Sequence, residues 1–386
     1  MFQAAAGTIL FWALGAALLR ITVIQSELCP AVTVGDVHEA AVEAGLWLER
    51  AGLPDGRYTY EYDLEEKAVQ PGYNVVRHAG VTMSLYQLAA AGESRFLAAA
   101  DWGLDYMEEN LLRGPGWAAF QDPRNGRTSL GANSLLLAAL SHRRLATGDD
   151  SYDLLMSEVG TFLMLLQRDD GSMLSEWDPE TVAPRPNVTS KYATGEAFWA
   201  FSLMDTLFPA EGWESPADLT AFYLATERDE AEDFAFPPWA DQWAAYGLSQ
   251  MPSDALTDVH TAYARSLAER FGFLMRVESR RRDSWLSDVL HGRQARAAGL
   301  GTWVEGLGSL WLIADRHPAL GDLKDDIRER AVCGAGLLVS RQQLPAVGED
   351  LVGGAWFTEG VTRMDDQQHA LSGLLMVEQI LKADSQ

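Results

Sequence analysis

The sequence predicts an all-α protein, an (α/α)6 toroid in which six outer and six inner helices alternate around a ring. Three observations predict it. Twelve stretches carry the apolar periodicity of helices. Their connections alternate between short and long, and a brief aromatic and acidic run recurs in several of the long ones. Long connections that recur at every second step place themselves at one end of a ring of helical hairpins. Long loops tend to carry function, so that end is where a site is expected.

The outer set covers about 36–51, 94–112, 151–167, 216–229, 256–278 and 320–342. These stretches are amphipathic, as in 327–332, and suit a layer with one wet face. The inner set covers about 74–91, 129–147, 192–207, 238–250, 302–316 and 365–382. Its members open with small residues and carry few charges, the composition of helices surrounded by other helices. From an inner stretch to the next outer one takes only AGES (91–94), TGDD (147–150) or RHPALG (316–321). The return path usually takes about fifteen to twenty-four residues, far above the short-connection norm. Within it, 55–63, 114–122, 170–178 and 353–360 begin with Gly-containing turns and continue with aromatic and acidic residues. Such runs predict small β-hairpins, and their recurrence predicts repetition of a helix–hairpin–helix unit.

Composition narrows the function. The formal net charge is −25, so no basic stripe exists to neutralise phosphates, and nucleic acid is excluded. The dense basic cluster Arg276 with Arg280–Arg282 ends a helix and is read as complementing its dipole. The two cysteines, Cys29 and Cys333, support neither a disulfide framework nor a zinc site, and Cys333 is read as a small buried hydrophobe. Residues 2–24 are almost entirely apolar, and about 21 residues at 1.5 Å each span roughly 31 Å, enough for a bilayer core. The cleavage signals of a secretory leader are poor. The expected organisation is therefore a transmembrane anchor and linker over 1–30, followed by a toroid over 31–386 with its body outside the cytoplasm.

The helix, Asp-Gly turn, aromatic strand and Gly-Glu helix head formed by Leu165–Trp177 with Tyr192–Trp199 resemble the α/α-toroid superfamily. That superfamily includes six-hairpin glycosidases, polysaccharide lyases, sugar epimerases and terpenoid cyclases. The resemblance covers 36–382 and concerns architecture. It implies a fold without carrying over any catalytic residue, and fold alone does not give function. The Cys/Cys/His zinc set of lanthionine-cyclase-like toroids and the DxDD motif of squalene-type cyclases are missing from the sequence.

In an alternating ring the inner helices run parallel, so their amino ends share one rim with the long loops. Aromatic side chains interleaved with carboxylates at that rim suit sugar rings, which stack and donate hydroxyl protons. The catalytic candidates are Glu196, Glu305 and Asp366 as acid, base or nucleophile, with His78 as a proton-transfer group. Arg77 is expected to pair with a substrate carboxylate. Tyr192, Trp243, Trp303, Trp356 and His369 complete the binding set. Asp365 or Asp366 is expected to meet His369 at i,i+4 or i,i+3. No metal and no cofactor are expected. The functional expectation is a membrane-anchored enzyme that hydrolyses a glycan, with elimination or epimerisation as the lesser alternatives. The rival expectation is a non-catalytic subunit of a membrane-protein complex, with the aromatic rim as its interface.

Overall fold

The computed structural model describes residues 2–20, 25–234, 239–344 and 350–384. Helix α1 (Phe2–Leu19) precedes α2 (Val34–Arg50), which opens on a capping box between Thr33 and Asp36. A hairpin of β1 (Glu61–Asp63) and β2 (Ala68–Gln70) leads to α3 (Val75–Ala90). Then come α4 (Leu97–Glu108), the hairpin β3 (Leu111–Gly114) and β4 (Trp117–Phe120), β5 (Thr128–Ser129) and α5 (Leu130–Thr147). Next are α6 (Asp153–Leu166), β6 (Glu176–Asp178), β7 (Ala183–Pro184) and α7 (Ala193–Leu207). The second half runs α8 (Glu214–Thr226), α9 (Arg228–Ala231), α10 (Gln242–Gln250), α11 (Asp258–Ser279), α12 (Trp285–His291) and α13 (Ala297–Arg316). It ends with α14 (Lys324–Arg341), β8 (Val361–Arg363) and α15 (Met364–Ala383).

The inner ring is α3, α5, α7, α10, α13 and α15, each packed on the next, and α15 closes onto α3. Outer helices back it: α4 lies on α3, α6 on α5, α8 on α7, α11 and α14 on α13, and α2 on α15. Alternation of inner and outer helices thus holds around the whole ring, as the periodicity predicts. Antiparallel hairpins form at or just after the first three expected runs, at 61–70, 111–120 and 176–184. At 353–360 no hairpin forms among the described residues, and β8, which follows, instead joins β1 so that the first and last units share a sheet (β2-β1-β8). Small residues explain how tightly the inner helices approach. Gly301 of α13 abuts the His369 backbone of α15, where a Cβ would collide. Large rings fill the wider gaps: Trp47, Trp199, Phe198 and Phe271 are fully buried, and each such burial stabilises by about 1.5–3 kcal/mol.

Two expectations need correction. Among the described residues no helix is long and apolar enough to cross a membrane, so the structure does not support a span over residues 2–24. Residues 21–24 lie outside the described residues. What is present is α1, 18 residues long, with Ile9, Phe11 and Trp12 exposed.

The second correction concerns the cysteines. Cys29 and Cys333 form a disulfide, with Cα atoms 4.6 Å apart across 304 residues of chain. No local spacing signals a bond between residues that distant; folding brings the linker across α14. The linker is a strap fixed at several points. Leu28 N donates to Ser279 O at 2.7 Å. Glu27 gathers Arg276, Arg280 and Arg330. The basic cluster that reads as a dipole partner therefore also binds the strap.

Candidate active site at the inner-helix rim

Each inner helix delivers side chains to the same rim, and the way each helix starts decides which ones. Helix α3 is capped by Asn74, whose Oδ1 accepts from Val76 N and Arg77 N. That cap aims Arg77 at the mouth, where it donates to the Tyr60 hydroxyl and pairs with Asp365 Oδ2 at 3.2 Å. Arg363 Nε approaches the other oxygen of Asp365 at 3.4 Å. Asp365 is therefore held between two arginines and does not meet His369.

Asp366 goes elsewhere as well. It accepts from Arg363 N and Ala298 N and forms an ion pair with Arg296 at 2.5 Å. It is 1% exposed, and burial raises its pKa while the Arg296 bond opposes the rise. These bonds tie the heads of α13 and α15 together.

The partner of His369 is Glu305: Nδ1 lies 3.0 Å from Oε2. Helix α13 begins at Ala297, five residues before the periodicity predicts, which drops Glu305 about two turns below the helix head. Glu305 is completely buried, and burial raises its pKa while His369 opposes that. For His369, burial acts to lower the pKa, but Glu305 and the nearby Asp365 and Glu196 outweigh it and the pKa rises. With Nδ1–H donating to the carboxylate, Nε2 is the basic nitrogen. A carboxylate that orients an imidazole in this way selects its tautomer and stabilises the imidazolium.

Glu196, in the first turn of α7, is 4% exposed. Its pKa is pushed up to about 8, first by burial and then by the charge of Asp241, with His369 acting the other way. Asp241 caps α10, accepting from Trp243 N at 3.0 Å and Ala244 N at 3.2 Å, and it pairs with the buried Arg228 of α9. Gly131 on α5 leaves the slot that holds the Glu196 carboxyl: a Cβ there would collide with Oε2. Gly131→Ala is expected to cost about 1–3 kcal/mol by overpacking, read by chemical denaturation. An unchanged midpoint would show that the slot is not tight.

His78 is fully buried and both ring nitrogens are used. Nε2 faces the Gly103 carbonyl at 2.8 Å, which can only accept, so Nε2 carries the proton and Nδ1 accepts from Tyr73 Oη at 2.6 Å. Burial lowers its pKa to about 4. Trp243 is buried, 5.7 Å from the His369 ring and stacked on Trp199. Trp303 is half-buried. Tyr192 is exposed and packs edge-on to Trp239. Trp356 donates to Leu338 O at 2.8 Å and is buried in its loop.

The structure brings Glu196, Glu305 and Trp243 around His369, all three buried, with Arg77 paired to the neighbouring Asp365. Asp366 and His78 are committed to bonds within the rim, and Trp356 to its loop. Arg228 has no sequence signal, since it follows an outer helix and reaches Asp241 only through the fold.

No protein-family model matches the sequence, and no curated protein matches it. Solved structures do match in fold. A sugar epimerase from a ruminal bacterium is 11% identical, with a TM-score of 0.64 over 90% of this chain and 98% of that one. An unsaturated glucuronyl hydrolase specific for heparin is 12% identical, with the same score and coverage. A family 76 glycoside hydrolase (mannosidase) of Bacteroides thetaiotaomicron is 14% identical, with a TM-score of 0.57 over 90% of this chain and all of that one. At such identities the likeness is one of fold: this chain has the six-hairpin (α/α)6 toroid fold of those proteins.

Proposed function

We propose that the chain is an acid–base enzyme acting on a glycan at the inner-helix rim. One observation carries this reading. A buried carboxyl that keeps its proton near neutrality, Glu196, lies within electrostatic reach of an imidazole backed by a buried carboxylate, His369 over Glu305. A carboxyl and an imidazole side by side, both with raised proton affinity, supply the donor and acceptor that proton transfer requires. The proposed roles are Glu196 as proton donor, His369 as base, Glu305 as its orienting partner and Arg77 as a holder of polar or anionic sugar groups. Tyr192 and Trp303 offer ring faces to the substrate. Solved structures of this fold named for sugar epimerase and glycoside hydrolase activity support the substrate class. Hydrolysis by two carboxylates fits less well than proton transfer through His369, because Asp366 is bound to Arg296 and Glu305 to His369.

The test is turnover of a panel of neutral and uronic-acid oligosaccharides in D2O. New reducing ends report hydrolysis, ultraviolet absorbance reports elimination, and deuterium entering a C–H bond reports epimerisation or isomerisation. The expected result is deuterium uptake that Glu196→Gln and His369→Gln abolish. Silence in all three assays overturns the glycan reading.

A second reading, a non-catalytic subunit of a membrane complex, is favoured by the burial of Asp365, Asp366, His78 and Trp356 within the rim. A stoichiometric partner in a native pull-down, with no turnover, would favour it. Under either reading we propose an extracytoplasmic body, because a disulfide between Cys29 and Cys333 belongs to an oxidising compartment. Attachment to a membrane through residues 2–24 is a proposal that rests on the exposed apolar side chains of α1.

A further inference from the structure

Below the rim the barrel axis is polar where an inner core is normally apolar. Counting down from the parallel helix heads, His369 is five residues in, Glu305 and Ser372 eight, and Gln87 and His142 twelve. At 1.5 Å per residue these steps descend to roughly 18 Å. The groups are in register with one another. Ser372 Oγ lies 2.7 Å from Gln87 Oε1, and Gln87 Nε2 lies 3.4 Å from His142 Nε2. Ser372 also faces Glu305 and favours its charged form. Glu305 Oε1 is buried and unbonded, which is costly unless a donor is turned toward it. Trp243, Trp199 and Tyr246 stack alongside as an apolar wall.

An amide can be turned by half a rotation with almost no change in shape. With Gln87 so turned, one continuous donor-to-acceptor run results: His142 Nε2–H to Gln87 Oε1, Gln87 Nε2–H to Ser372 Oγ, and Ser372 Oγ–H to Glu305. His369 Nδ1–H reaches Glu305 from the other side. We propose that Ser372, Gln87 and His142 form a directed hydrogen-bond chain down the barrel axis that positions Glu305 beneath His369. They are positioning residues; none reaches the mouth. The inference rests on the acid–base reading for its purpose, and its test does not need turnover.

The other charged groups facing the His369–Glu305 pair are Glu196 on α7, Asp241 with Arg228 beside α10, and Asp365 on α15 with its partner Arg77. The Tyr246 hydroxyl adds a polar group from α10, close to Glu305 and Gln87. None of these is altered by the variants below, so a change in His369 reports the chain itself.

The experiment follows the imidazole nitrogens of His369 by NMR in the intact protein with 15N-labelled histidine. The wild type, Ser372→Ala, Gln87→Met and His142→Ala are titrated in parallel. Loss of a donor leaves Glu305 a poorer anion, so the His369 midpoint should fall, by about threefold or more in proton affinity for Ser372→Ala. His142→Ala, at the half-buried far end, should shift it less and in the same direction. The His78 resonances serve as the fold control. An unchanged His369 titration in both Ser372→Ala and His142→Ala overturns the proposal. If Ser372→Ala does not fold, His142→Ala alone decides it. A shifted midpoint with no turnover on any glycan would keep the chain and discard the enzyme reading.

Discussion

Glu196→Gln is expected to cut turnover about a hundredfold or more and, at the same time, to make the protein more stable at pH 7. The two effects share one cause. Burial and Asp241 lift the Glu196 pKa from 4.5 to about 8 in the folded chain. Between those values the folded state holds a proton that the unfolded state has released, so stability falls as pH rises through that window. The contribution is present in full below about pH 4.5 and gone above about pH 8. At pH 7 the difference is on the order of 3 kcal/mol, which a neutral glutamine recovers. A helix-capping role would have the opposite sign, costing about 0.5–2 kcal/mol on replacement. Chemical denaturation from pH 4 to 9 separates the two: the gap between variant and wild type should widen with pH up to about 8. Activity gives an independent check. If Glu196 is the donor, wild-type turnover should fall about tenfold per pH unit above pH 8. Destabilisation by Glu196→Gln together with retained turnover would remove this residue from the site.

The sequence carries the ring clearly because its signal is local. Apolar periodicity, short turns such as TGDD at 147–150, and Gly-containing starts of hairpins all act within a few residues. Part of the rim was legible for the same reason: alternate long loops imply parallel inner helices, and Glu305 and Glu196 do lie beside His369, with Arg77 reaching them through Asp365. Pairing at the rim was not legible. Spacing on α15 suggests Asp365 or Asp366 for His369, yet both carboxylates are taken by arginines from other elements. Glu305 reaches His369 only because α13 starts earlier than its apolar pattern, along 297–301, where small residues carry little periodic signal. Arg228, Gln87 and the Cys29–Cys333 bond are long-range facts of the closed ring, with no shared motif to announce them.

Breaking that bond is expected to cost the largest share of stability of any change away from the rim. The disulfide joins residues 304 apart, so it closes nearly the whole toroid into a covalent loop. Restricting an unfolded chain over a loop that long is worth about 5 kcal/mol in the chain-entropy account. The native strap has other holds: Glu27 with its three arginines, and Leu28 N on Ser279 O. Loss of the covalent link should therefore lower stability without moving the strap or the mouth. The variant to use is Cys29→Ser with Cys333→Ser, since a single change leaves a reactive thiol. Its denaturation midpoint should fall to that of reduced wild type, and reductant should have no further effect on it. Turnover below the melting transition should be unchanged, because neither cysteine touches the rim groups. Thiol counting on protein taken from its native source then tests the compartment. No free thiol before reduction and two after it are expected of a body that matures under oxidising conditions. Two free thiols before reduction would discard the bond and, with it, the argument for an extracytoplasmic body.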